Sequence, residues 1–384
     1  MSSSQTFFVR SEMVPEQAPP RSNRGIGAWL RANLFSTPLN SLASLIGIVV
    51  VGWVIWNVLQ FTVFNAVFSD PEGLRGAACR PTEIGREVGA CWIFIQARIN
   101  FFIYGFYPAA ETWRVNVMML LGAILLVLLL VPKVPYKRVN AVLFFVVYPV
   151  VAFILMGGGV FGLPQVPTEQ WGGLSLTLII SLLGIICSLP LGILLALGRQ
   201  SSLPVIKSFC IGFIELWRAV PLITVLFMAS VMFPLFMPQG VNIDNLLRAI
   251  VGIILFESAY MAEVVRGGLQ ALPRGQSEAA SALGLNKLKS TMLIILPQAL
   301  KHAIPGIVNT FIALFKDTSL VSIIGIFELL NTVRAANADS ANWGAPTTAI
   351  TGYLFAGAVF WIFCFSISRY SIWMEDRLNT GHKR

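Results

Sequence analysis

Charge is what this chain has least of. Asp, Glu, Lys and Arg make up 12% of its 384 residues, against 56% hydrophobic ones, whereas a soluble domain carries about 25% charged residues. A soluble protein of this length would need roughly twice these charges to cover its surface, which excludes an ordinary cytosolic enzyme. The composition equally excludes disordered, collagen-like and disulfide-scaffold classes. Histidine is scarcer still, with His302 and His382 alone, and both fall outside the apolar runs, so a membrane-buried Ser-His pair is ruled out. The five cysteines include no CxxC and no Cys/His cluster, which leaves no case for a metal site. There is no G-x-x-x-x-G-K-[ST] phosphate loop, so the chain has no ATP-hydrolysing machinery of that kind and implies no cofactor. No short apolar stretch with a small-residue cleavage site precedes the first long apolar run, so no cleavable signal peptide is expected.

What remains is apolar sequence in long runs. With a window of about 20 residues they fall near 39–64, 115–131, 139–156, 174–197, 211–235, 249–265, 303–324 and 348–368, which predicts an all-α polytopic membrane protein with about eight transmembrane helices. If the basic segment 1–38, with Arg10, Arg21, Arg24 and Arg31, is cytoplasmic, the segments on that side hold 18 of the 27 Lys and Arg. The opposite side then holds 7, and Arg218 and Lys316 lie within runs. This asymmetry places both termini inside. The five basic residues across the membrane all belong to the loop 65–114, where Asp70, Glu72, Glu83, Glu87 and Glu111 match them in number. The net charge of +9 therefore reports topology; it is scattered over short loops and calls for no nucleic-acid partner. Cys79 and Cys91 share the long loop, where an oxidising compartment permits a disulfide and two free thiols are equally open.

Composition divides the chain. Residues 39–157 form a three-helix extension with its outer loop, and Gly157, Gly158, Gly159, Gly162, Pro164 and Pro167 mark a flexible connection. Five further spans follow from Gly172, and 374–384 is a cytoplasmic tail. Between the sixth and seventh spans lies PRGQSEAASALGLNKLKSTMLIILPQALKH, residues 273–302. Ser277 is placed to cap a helix whose first turn carries Glu278, the sign the helix dipole prefers there, and Ala279, Ala280 and Ala282 give that helix a slim body. Gly284 permits a sharp turn, and Pro297 interrupts the chain before the next span. A short, slim helix suits a cleft in a partner protein. The competing reading, an interfacial amphipathic helix, explains the helix and the charges but not the fixed Gly and Leu-Pro positions.

The spacing Glu278-Ala279-Ala280, three residues, Gly284, nine residues, Ile294, one residue, Leu296-Pro297 resembles the EAA signature of permease subunits of bacterial ABC importers. A chance match in a few hundred residues is on the order of one in a million at ordinary residue usage. Gly173-Leu174 with Leu176-Thr177-Leu178, Glu215 to Leu222, Ala259 to Gly268, and Lys316-Asp317-Thr318-Ser319-Leu320 are similar to the polar amino-acid permease family over about residues 172–373. Ala219 stands where many members have Gly after the arginine. The three-helix extension, absent from most members, resembles the general L-amino acid permease branch. The resemblance implies a type I importer core of five helices. It also implies a coupling loop over 266–302 that uses Ser277, Glu278, Ala279, Ala280, Gly284, Ile294, Leu296 and Pro297, and residence in the bacterial inner membrane. The implied partners are a cytoplasmic ATPase dimer, a periplasmic amino-acid-binding protein, and a second permease expected to be a related but different chain.

Charges at bilayer depth are costly and usually face a cavity or a partner. Arg218, Glu257 and Asp317 lie near the middle of their runs. Glu215 or Glu257 with Asp317, Thr318 and Ser319 offers acceptors and hydroxyls to an ammonium group, and Arg218 attracts a carboxylate, as a zwitterionic amino acid requires. A structural pair, Arg218 with Glu215 or Lys316 with a neighbouring acid, is the alternative. Glu263 and Arg266 are expected to brace the loop that follows. Trp29, Leu30, Leu34 and Phe35 with Arg24 and Arg31 suit either a helix lying on the inner membrane surface or an unstructured tether, and Phe327 to Leu330 with Val333 and Arg334 either a short outer helix over the translocation path or a plain connector. An ion-gradient-driven secondary transporter would need inverted repeats and an ion site, neither of which is evident.

Overall fold

The computed structural model describes residues 25–378 apart from 71, 72, 74 and 242. Arg10, Arg21, Arg24 and His382 therefore lie outside the described residues, as does most of the tail. No strand occurs among the described residues; the protein is an all-α, multi-pass membrane protein. It divides at Ala66 and Val67 into two units.

The first unit holds α1 (Ile26–Asn33) and α2 (Pro38–Phe64). Thr37 starts α2 by accepting the Asn40 amide on its hydroxyl, and Pro38 takes the first helical position, where its missing N–H costs nothing. No residue of α2 is buried, and Trp53 and Trp56 are more than half exposed. A helix apolar on every face is built for lipid.

The second unit opens with a folded segment where the sequence suggests a loop. Residues 75–79 form a 3-10 turn, Cys79 is joined to Cys91 by a disulfide, and α3 (Trp92–Tyr104) follows. At 13 residues α3 is too short to span, and it packs sideways onto two later helices, α12 (Leu329–Asn337) and α13 (Pro346–Leu378). Phe94 meets Trp343 edge-on, and the Cys91 amide donates to Thr351. Next come α4 (Ala109–Leu130) and α5 (Lys137–Gly157). Arg114, wholly buried near the start of α4, donates to the carbonyls of Leu155 and Pro164 and so ties α4 to the end of α5 and the following connection.

The centre of the unit is α6 (Gly173–Arg199) against α9 (Asn245–Gln270). A Cβ on Gly192 would come 2.6 Å from that of Met261, so only glycine permits this approach of the two backbones, the usual device of helix pairs in lipid. Between α6 and α9 run α7 (Pro204–Ala219) and α8 (Leu222–Phe236), and after α9 come α10 (Gly275–Ala282) and α11 (Lys287–Ile324).

Two expectations change and a third is not confirmed. Among the described residues, six helices are long and apolar enough to cross a membrane, or seven if the bent pair α7 and α8 is one span. The count of eight is therefore not confirmed: α9, at 26 residues, is long enough but is largely enclosed by protein. The run 211–235 is not one straight helix, because α7 and α8 bend by 100°. Pro221 forbids the helical conformation to Val220, which is extended at φ −102°, ψ 135°. Finally, Pro297 does not interrupt the chain. A π turn at Thr291–Ile295 precedes it, and Pro297 begins the next α-helical stretch within continuous α11, where a proline leaves no intrahelical donor missing.

Candidate functional site: a coupling helix and an arginine–glutamate hub

The segment α10 stands out from the bundle. Ser277, Glu278, Ala279 and Gly284 are exposed, while Ala280, at 1% exposure, anchors the helix. Ser277 does not cap it: Pro273 and Arg274 accept the first amides, so the helix starts at Gly275 and the Ser277 hydroxyl turns back to the Arg274 carbonyl. The C-terminus closes as a Schellman motif. The Gly284 amide donates to Ser281 O and the Leu285 amide to Ala280 O, with Gly284 at φ +76°. Ile294 and Leu296 are half-buried and Pro297 is exposed. Gln298 donates to the Ile294 carbonyl and to Gln276, which fastens α10 to the start of α11. Leu283, Leu288 and Leu293 remain two-thirds or more exposed, an apolar rim around a small-residue helix.

Just above this segment three helices are pinned by one carboxylate. Glu263 on α9 accepts from Arg199 at the end of α6 (2.8 Å) and from Arg266 (2.6 Å), and Arg218 of α7 lies 3.8 Å away. Arg199 also reaches Glu215 at 3.2 Å, Arg218 sits over the Tyr260 ring, and Arg266 bonds Gln270 at the end of α9. Glu215 and Arg218 therefore do not pair with each other; both join a hub built on Glu263. Arg199 and Arg218 lie 64 and 45 residues before Glu263 in sequence and Arg266 three after it, and no local pattern announces Arg199.

The other path candidates form a separate group. Glu257 lies six residues, or about 9 Å, before Glu263 along α9. It is 3% exposed, pairs with no described cation and is within electrostatic range of Asp317. Thr318 is wholly buried and donates its hydroxyl to the Phe315 carbonyl, so that donor is spent inside its own helix; Ser319 is half-buried. Among the described residues no ion pair or hydrogen bond joins Arg218 to Asp317, so the carboxylate and ammonium subsites expected from the sequence are not one cluster.

At the opposite end from α10, Glu328 caps α12 by accepting the amides of Leu330 and Asn331. The Leu329 amide donates to Thr177 of α6. Burial pushes the Glu328 carboxyl up to about 7 despite the two amide donors and nearby Arg334. Between its ordinary 4.5 and about 7 the folded chain holds a proton that the unfolded chain has released. Stability is therefore greatest at the acid end, falls as pH rises through that window and is level above it. The melting midpoint of the solubilised protein is expected to drop between pH 5 and pH 8, with a smaller drop in Glu328→Gln; parallel curves for the two proteins would contradict the assignment.

Comparisons with known proteins agree with this architecture. Residues 188–380 match the family described as binding-protein-dependent transport system inner membrane component. The inner membrane amino-acid ABC transporter permease protein YhdY of Escherichia coli is 50% identical over 367 residues, 96% of each chain. The glutamate/glutamine/aspartate/asparagine transport system permease protein BztC of Rhodobacter capsulatus is 37% identical, covering 99% of this chain and 100% of that one. The shorter glutamate/aspartate import permease protein GltK of Escherichia coli is 31% identical over 53% of this chain and 91% of its own. This chain belongs to the family of binding-protein-dependent inner membrane transport components, as an ABC-type amino-acid permease.

Proposed function

We propose that this chain forms half of the translocation path of an ATP-driven importer of polar L-amino acids, with α10 seated in a groove of a separate cytoplasmic ATPase. The observation that carries the reading is the exposed helix with its apolar rim, Leu283, Leu288 and Leu293, fastened to the bundle only at one side. An unpartnered face of this kind on a slim helix fits a helix-in-groove contact. ATP-driven closure of an ATPase dimer would draw α10 toward its counterpart on a second, related permease and open the far end to a loaded periplasmic binding protein, two ligands biasing one two-state bundle. The chain itself supplies no ATP hydrolysis. The relative BztC bears a name that includes glutamate, glutamine, aspartate and asparagine, and polar amino acids are the substrate class proposed here.

In this reading the protein lies in the bacterial inner membrane with both termini cytoplasmic. The segment 39–157 with its outer part 65–114 is an extension, 172–373 the transport core, and 266–302 the coupling loop. Uptake of radiolabelled glutamate and glutamine by vesicles holding the complete transporter tests it. Uptake should stop on ATP depletion and persist when ion gradients are collapsed; the reverse pattern would assign an ion-driven transporter instead.

A further inference from the structure

Between the extension and the core lies a crevice of about 480 Å³ that the transport reading does not use. One wall is α4 and α5, the other α6 and the first turns of α9, and almost all of its lining is apolar. Along α4 it runs from Met118 to Leu126 and along α6 from Leu174 to Leu183, about 12 to 14 Å of helix in each case. That is close to one leaflet, half of a hydrocarbon core of about 30 Å. Its deep end lies near mid-span and its mouth at the end of the bundle away from α10.

The crevice is held open by its walls. The Tyr148 hydroxyl donates to the Met118 carbonyl and bridges α5 to α4, and Gly122 leaves room for that ring, since a Cβ there would lie 2.2 Å from the hydroxyl oxygen. Trp171, 3% exposed, is braced edge-on by Phe153. The rim residues Phe153 and Leu247 are 65% and 51% exposed, so the slot opens sideways, where lipid lies.

Polarity is confined to the mouth. Asp244 caps α9 through the Leu247 amide and accepts the Thr168 hydroxyl, yet no described Lys or Arg forms an ion pair with it. An acid at the membrane interface, above an apolar slot one leaflet deep, matches a molecule with a cationic donor on top and a hydrocarbon chain below. An amino acid, polar over most of its surface, has nothing to pair with in such walls.

We propose that this crevice holds one acyl chain of a phospholipid with a primary-ammonium headgroup, in the leaflet opposite α10, the ammonium donating to Asp244. Such a lipid fills a slot that protein leaves empty and cements the extension to the core. The proposal is independent of what the protein transports.

The test uses the full-length protein in vesicles of phosphatidylethanolamine and phosphatidylglycerol, doped with either lipid carrying a diazirine on its acyl chain. After photolysis, the ethanolamine probe should label 118–126 and 144–153 several-fold more than the glycerol probe does, and more than it labels the exposed face of α13 around Trp361. Asp244→Asn keeps one acceptor oxygen for the cap and can donate its amide to the Thr168 hydroxyl in place of accepting from it, while removing the charge; it should bring the ethanolamine probe down to the glycerol level. Leu178→Trp should reduce labelling by both. Equal labelling by the two probes in the wild type would overturn the headgroup assignment, and so would an Asp244→Asn variant that keeps the preference. Labelling no greater than on α13 would reduce the slot to ordinary lipid contact. A cysteine cross-link from position 153 to the segment 38–64 would show the protein's own α2 in the slot and overturn the lipid assignment. If Leu178→Trp does not assemble, the Asp244→Asn comparison still decides.

Discussion

Gly284→Val is expected to lower amino-acid uptake by at least tenfold while the protein still reaches the membrane in normal amount. Gly284 holds φ +76° with nothing within 4 Å of where a Cβ would stand. The penalty of a side chain is therefore one of backbone conformation rather than of collision. Left-handed geometry costs an ordinary residue roughly 1–2 kcal/mol, and a β-branched one is a true outlier there. An eight-residue helix has little in reserve to resist unwinding. Once the turn relaxes, the bonds from Gly284 to Ser281 and from Leu285 to Ala280 go with it, and the exit from α10 no longer points toward Asn286 and α11. A paired variant separates two causes. Asn tolerates the left-handed region, so Gly284→Asn should retain most uptake if the turn is what matters. Loss of uptake as severe as in the valine variant would show that glycine is needed for close approach of the partner instead. Normal uptake in Gly284→Val would remove α10 from the coupling assignment altogether.

How much of this was legible beforehand differs residue by residue. The apolar runs read as membrane helices because a bilayer demands long stretches without charge, and that demand is local in sequence. Gly284 as a turn was legible for the same reason: a positive φ is written in one residue. Ser277 as a cap was not, because the start of α10 is decided by the carbonyls of Pro273 and Arg274, which accept the first amides ahead of it. The bend at Val220 was hidden within an apolar window although Pro221 stood in plain sight; hydropathy averages over the residue that breaks the helix. The short helix α3 escaped because 13 residues fall below the length at which a membrane imposes a pattern. Arg199 and Glu263 were the least legible. Their pairing depends on three helix ends meeting in space, and nothing within any one helix records it.

Replacing the carboxylate of that hub should have the largest effect on the bundle itself. In Glu263→Ala, Arg199, Arg218 and Arg266 keep their positions around a vacated acceptor, and Glu215, 57% exposed, is the one acid left among them. Removing one partner of a fully buried ion pair costs about 3–5 kcal/mol, mostly from the charge left behind. Here the Glu263 side chain is 15% exposed and the arginines 24% to 37%, so solvent screens part of the repulsion and roughly 2 kcal/mol is the better expectation. That corresponds to a melting midpoint lower by about 3 °C for a unit that runs from Val67 to Arg384. Because α6, α7 and α9 would no longer be joined where α9 leads into α10, uptake should fall further than stability does, with ATPase binding retained. Arg199→Met in the Glu263→Ala background should recover part of the lost stability, since it removes one of the unpaired charges, whereas Arg199→Met alone should destabilise. A double variant whose losses simply add would mean that the two side chains do not act on each other, and the hub would then be a surface decoration rather than the joint that transmits the motion of α10.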